Sequence, residues 1–137
     1  MNAVVRRALL ACGLAVASLA AQAAPPAEML QRGEQLYGRC LACHAIEQNR
    51  TGPAHCGLFG RRAGTAPGYN TYSPALRGSG IVWDDASLAR FLTDPTRVVP
   101  GTTMTYLGMP NAQERDALIA WLKQATQPGR SCSPPGP

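Results

Sequence analysis

The sequence predicts an all-α domain in which three main helices and long loops wrap around something other than their own side chains. Three observations carry that reading. Apolar residues recur at helical spacing in two segments, and start and stop signals mark a shorter third. The stretches between them are Gly- and Pro-rich, and connections of that length need something large at the centre to be compatible with a compact domain. Cys40-Leu41-Ala42-Cys43-His44 supplies it. Two thiols three residues apart reach both vinyl groups of one haem from adjacent turns, and His44 then lies over the iron. A redox dithiol would want a βαβ frame, and a zinc site a second ligand pair at similar spacing; neither accompanies this motif.

The first element is an address. Arg6 and Arg7 form a basic start, Ala8 to Ala21 an apolar run, and Ala21-Gln22-Ala23 a small-residue cleavage site, so residues 1–23 read as a signal peptide. The apolar run is shorter than the ~20 residues that cross a bilayer, and no membrane span is expected. Cys12 is discarded with the leader. Cleavage leaves a single domain over residues 24–127 and a Pro/Gly-rich tail over residues 128–137.

Within the domain, Pro25 to Arg39 carries Met29, Leu30, Gly33, Leu36 and Tyr37 on one helical face. Asp85 to Thr93 forms a shorter helix ended by Asp94-Pro95. Asn111-Ala112-Gln113-Glu114 resembles a capping box and opens a helix to about Thr126, with Leu118, Ile119, Trp121 and Leu122 apolar. Thr51-Gly52-Pro53, Gly57 to Gly68 and Val99-Pro100-Gly101 are loops.

Haem iron held by His44 needs a second axial ligand or an open face, and Met104, Met109, Met29 and His55 are the candidates. Met104 is best placed, because Pro100-Gly101-Thr102-Thr103 is a turn-rich lead that projects a thioether free of helix geometry. Met109 precedes Pro110 and the last helix and is expected to pack. His55 reads as an exposed or hydrogen-bonded loop imidazole.

Of 13 basic and 8 acidic residues, Arg6 and Arg7 belong to the leader, which leaves a net charge of about +3. Lys123 is the only lysine, and no basic run with interleaved aromatics points to nucleic acid.

From Gly33 to Thr126 the chain resembles a class I cytochrome c of the small mitochondrial and bacterial soluble type. The resemblance runs through Cys40-x-x-Cys43-His44, Gly52-Pro53, Gly57-Leu58-Phe59-Gly60-Arg61 and Pro67-Gly68-Tyr69. It continues through Gly80-Ile81-Val82-Trp83, Asp94-Pro95, Val99-Pro100-Gly101-Thr102-x-Met104 and Glu114-Arg115-Asp116-x-Leu118-Ile119-x-Trp121-Leu122. It implies the class I cytochrome c fold and one covalent haem c, with Cys40 and Cys43 as attachment points and His44 and Met104 as axial ligands. It implies further that the Pro53 carbonyl accepts the other His44 ring N–H. Arg61, Tyr72, Trp83 and Thr102 match positions that hold haem propionates. Gly33 and Tyr37 are expected to meet Leu118, Trp121 and Leu122 where the first and last helices cross.

The chain also departs from the family. Phe91 stands where many relatives carry a tyrosine whose hydroxyl reaches the ligand sulfur. Thr96, Thr103, Pro110 and Asn111 stand where mitochondrial relatives have lysines, while Arg39 and Arg97 stay basic. Ala54-His55-Cys56 breaks the short apolar pattern after Gly-Pro.

The function implied is a periplasmic, mono-haem electron carrier cycling between Fe(II) and Fe(III), not an enzyme, with no catalytic residues and with redox proteins as donor and acceptor. A monomer is expected unless the chain is a dedicated subunit of a periplasmic dehydrogenase complex, the main rival. A peroxidase-like or gas-binding haem protein ranks behind both. Four cysteines survive cleavage and haem takes two, so Cys56 and Cys132 are left as a disulfide in an oxidising compartment. Two unrelated thiols, one buried and one free on the tail, are the plainer alternative.

Overall fold

The computed structural model describes residues 23–129 and Cys132. The leader before Ala23 and most of the tail lie outside the described residues. Five helices follow one another: α1 (Ala27–Tyr37), α2 (Pro74–Gly78), α3 (Asp85–Thr93), α4 (Pro95–Val98) and α5 (Ala112–Ala125). A single 3-10 turn, Gly38–Cys40, extends α1 into the Cys40–His44 stretch. Among the described residues, extended pairing is limited to isolated bridges, such as Arg62 opposite Val82.

The frame is the crossing of α1 and α5. Gly33 faces the Ala117 carbonyl so closely that a Cβ there would overlap it and the Trp121 Cβ. Tyr37, one turn on, lays its ring 4.8 Å from that of Trp121. Leu36, Leu118 and Leu122 are buried around the crossing. Ala117 is the residue that the apolar pattern alone left unmarked; its small side chain is what lets Gly33 reach the backbone.

The ends of the helices follow local chemistry. Asn111 caps α5, its Oδ1 accepting from the Glu114 amide at 3.0 Å. Only half of the expected capping box forms. The Glu114 carboxylate turns away to Arg32 at 2.5 Å and Arg39 at 3.3 Å, tying α5 to the end of α1. The reciprocal box appears instead on α3, between Asp84 and Ser87. Two short helices escaped the sequence reading. Both begin with proline, α2 behind Ser73 and α4 behind Asp94, whose side chains accept from the amides of Leu76 and Arg97. Asp94-Pro95 thus ends α3 and starts α4 within two residues.

Glycine carries the close approach of the Met104 loop. Gly108 adopts φ +98° and lies against the Thr93 carbonyl, where no Cβ fits. The next amide, Met109, donates to Leu92 at 2.7 Å, and the Met109 side chain is 1 % exposed. Arg115 then donates to the Met109 and Pro110 carbonyls. The loop is therefore pinned at its far end to the C-terminus of α3.

Cys56 and Cys132 are joined by a disulfide across 76 residues of sequence, with Cα atoms 5.4 Å apart. The Gly57 amide donates to Thr126 at 2.9 Å on the same side, and Cys132 is buried. The link holds the end of α5 and the chain beyond it against the loop that follows Pro53.

Two outcomes follow from this packing. Gly33→Ala, although alanine is the better helix former, should destabilise the holoprotein by about 2 kcal/mol through overpacking, measured by urea unfolding. The double variant Cys56→Ser, Cys132→Ser should lose up to about 4 kcal/mol, because a loop this long is costly to close without a cross-link.

Candidate functional site

Between α1, α3, α5 and the loops lies a cavity of about 470 Å³, walled mainly by apolar side chains. Leu58, Leu76, Leu88, Phe91, Leu92, Leu118 and Leu122 line it, so helices and loops contribute to one enclosure.

The 3-10 turn and the following turn deliver Cys40, Cys43 and His44 to its wall. The amides of Cys43 and His44 donate to the Cys40 carbonyl at 3.1 and 2.8 Å, which keeps the stretch helical enough to present both thiols together. Neither thiol is in a disulfide. Burial pushes the Cys40 thiol up to about 11, so it is protonated at neutral pH. A working redox dithiol needs the opposite, a thiolate stabilised by its surroundings. Cys40 is therefore a poor nucleophile for disulfide exchange, and both thiols are free to be joined to a vinyl edge.

His44 is held on two sides. Its Nδ1 donates to the Pro53 carbonyl at 2.8 Å, which leaves Nε2 without a proton and with its lone pair available. Gly52 lies against the ring so closely that a Cβ would overlap it. Burial lowers the affinity of this imidazole for a proton, which keeps the ligating form populated.

Met104 lines the same cavity, with Thr102, Thr103 and Tyr106 beside it. Its amide donates to Thr102 Oγ1 at 3.3 Å, and the Thr102 amide to Val99 at 3.0 Å. Met109 is in the core beneath.

The remaining residues singled out by sequence meet here too. Pro53, Arg61, Tyr72, Trp83 and Thr102 all line the cavity. Arg61 is fixed by the bridge at Arg62 and Val82, where the Trp83 amide donates to the Arg61 carbonyl at 3.0 Å. Its guanidinium donates to the carbonyls of Cys56 at 2.7 Å and Ala54 at 3.0 Å. The Tyr72 hydroxyl accepts from the Ala66 amide, and so keeps its own proton to donate. Trp83 packs its ring 5.1 Å from Phe91, which brings no hydroxyl to this wall.

His55 is more than a loop imidazole. It lines the cavity, stacks on His44 with ring centres 4.4 Å apart and planes 22° from parallel, and bonds through Nδ1 to the Tyr37 hydroxyl at 3.1 Å. Its departure from the apolar pattern after Gly-Pro was the one signal in the sequence that pointed to it.

The donor set fits a haem: two thiols for its edge, an imidazole with a free lone pair, a thioether, and an apolar enclosure. Among the described residues no group of three or more His, Cys, Asp and Glu is arranged to hold a metal ion by itself.

Residues 30–126 match the family model for cytochrome c. The chain is 41% identical over 102 residues to a cytochrome c2 of Rhodomicrobium vannielii, covering 72% of this chain and 79% of that one. It is 41% identical over 101 residues to a cytochrome c-550 of Bradyrhizobium diazoefficiens, covering 72% and 74%. Among solved structures, cytochrome cH from Methylobacterium extorquens superposes with a TM-score of 0.67 at 42% identity, over 69% of this chain and 97% of that one.

Burial beside His44 and Arg61 pulls the His55 imidazole down to about 3. The unfolded chain binds a proton there near 6.5, so the unfolded state holds more protons between those values and stability falls as pH drops through the window. His55→Leu should flatten that part of the stability profile, read from urea midpoints of the holoprotein at a series of acidic pH values.

Proposed function

Because the chain belongs to the cytochrome c family, whose members carry one covalently attached haem c, we propose that it is an exported single-electron carrier of the periplasm, its iron held between His44 and Met104. Electron carriage by a c-type cytochrome is the activity that its relatives share. The observation that carries the finer reading is the convergence of Cys40, Cys43, His44 and Met104 on a single apolar cavity.

Bound haem supplies the one-electron Fe(II)/Fe(III) couple, and imidazole with thioether ligation favours the reduced iron and a positive potential. The chain's own residues do the rest. Cys40 and Cys43 would hold the edge of the macrocycle through thioether bonds. Pro53 fixes the tautomer of His44, and Thr102 steadies the backbone of Met104. Arg61, Tyr72, Trp83 and Thr102 would be the donors to its propionates. The leucines and Phe91 exclude water, which limits the rearrangement that accompanies each electron. With His44 and Met104 as its ligands, the iron would leave no side chain an acid–base role.

Export is supported by the leader pattern of residues 1–23, by the mature domain over residues 24–127 that it leaves, and by a disulfide suited to an oxidising compartment. Among the described residues no helix is long and apolar enough to cross a membrane. A fixed dehydrogenase partner is the second reading. Scarcity of lysine favours it, since Lys123 is the only one and is paired with Asp85 at 2.6 Å. Co-purification of the native protein from its host separates the two.

Met104→Ala should abolish the weak far-red absorption band of the oxidised protein and open the iron to azide or carbon monoxide. Met109→Ala should keep that band while losing about 3 kcal/mol of stability, as a fully buried core methionine does. Loss of the band in the second variant alone would move the ligand to Met109.

A further inference from the structure

We propose that His55 is a positioning residue for the proximal ligand: its imidazole, stacked on His44, fixes the plane of that ring and biases the iron toward Fe(III). The inference rests on His44 being an iron ligand.

His44 has one hydrogen bond, from Nδ1 to Pro53, and the Gly52 backbone lies against its ring. His55 adds a stacked aromatic face to these restraints, with ring centres 4.4 Å apart and planes 22° from parallel. His55 is itself tightly held. Its amide donates to the carbonyls of Ala45 and Ile46, and the next amide, Cys56, donates to Ile46 at 2.8 Å. Arg61 holds the carbonyls on either side of it, those of Ala54 and Cys56. The Tyr37 hydroxyl meets its Nδ1, with the Tyr37 ring edge-on at 5.7 Å. Three contacts fall on the imidazole itself, the His44 face, the Tyr37 hydroxyl and the Tyr37 ring edge, and the others fix the backbone that carries it.

The electronic consequence follows from the stack. A ligand imidazole gives up electron density when the iron is oxidised, and an aromatic face lying on it stabilises an electron-poor ring better than an aliphatic side chain does. His55 therefore favours the oxidised protein relative to a leucine in the same place.

The test compares wild-type holoprotein with His55→Leu, His55→Phe and His55→Asn, by redox titration and by the hyperfine-shifted proton resonances of the His44 ring in the oxidised state. His55→Leu should lower the oxidised-to-reduced ratio at fixed ambient potential about threefold, the scale of one aromatic contact, and move the His44 resonances. His55→Phe, which keeps a ring on His44 and lacks the nitrogen that meets Tyr37, should stay near wild type in both. His55→Asn, polar without a ring, should follow His55→Leu and carries the comparison if the leucine variant fails to retain haem. A ringless variant with unmoved ratio and resonances overturns the proposal, as does His55→Phe shifting as far as the ringless variants. Absence of histidine resonances of this kind from the wild type would instead overturn His44 as ligand.

Discussion

Backbone contact between α1 and α5, where Gly33 lies on the Ala117 carbonyl, is the constraint on which the remaining geometry depends. The helices are the two ends of the domain, and Cys40 to His44 follow directly from the first of them. A side chain at Gly33 would push α1 outward and carry the thiols and the imidazole with it. Close helix packing gives a second benefit, because Leu36, Leu118 and Leu122 are brought into one buried layer that doubles as a cavity wall. The salt bridges from Arg32 and Arg39 to Glu114 run along the same seam, but they are half-exposed and contribute little beside the apolar contact.

Loops form the other half of the enclosure, and their rigidity comes from paired polar backbone rather than from regular structure. Arg61 ties carbonyls of the segment after Pro53, Thr102 ties the approach to Met104, and Arg115 ties the exit at Met109 and Pro110. Each arginine serves carbonyls that a helix or sheet would otherwise have satisfied. This explains how a domain with few helical residues between Ala45 and Ala112 keeps a defined cavity. It also explains a bias toward arginine over lysine, since a planar fork reaches two carbonyls at once.

Sequence made the helices with caps and apolar stripes readable, and Asp85–Thr93 came out with the same ends in both descriptions. The motif at Cys40 to His44 was readable because covalent attachment fixes both residue types and spacing. The short helices α2 and α4 were hidden because four or five residues carry too little periodicity; only their Ser-Pro and Asp-Pro starts announced them. Glu114 deceived in a different way. Its position three residues after Asn111 suits a local bond, yet two arginines distant in sequence offered its carboxylate charge partners. His55 was visible as an anomaly without a meaning, because stacking on His44 depends on a fold in which residues eleven apart meet face to face.

The disulfide between Cys56 and Cys132 sorts the four cysteines of the described residues into two pairs, one cross-linked and one free. Cys40 and Cys43 are near enough in sequence to oxidise each other, which would block the haem attachment proposed for them. The cross-linked pair is separated instead by 76 residues. Along the chain, Cys40, Cys43 and Cys56 all precede Cys132, which follows the last helix. The Cys56–Cys132 cross-link can therefore close only once all five helices are in place along the polypeptide, so it joins an already complete set of elements rather than guiding their formation.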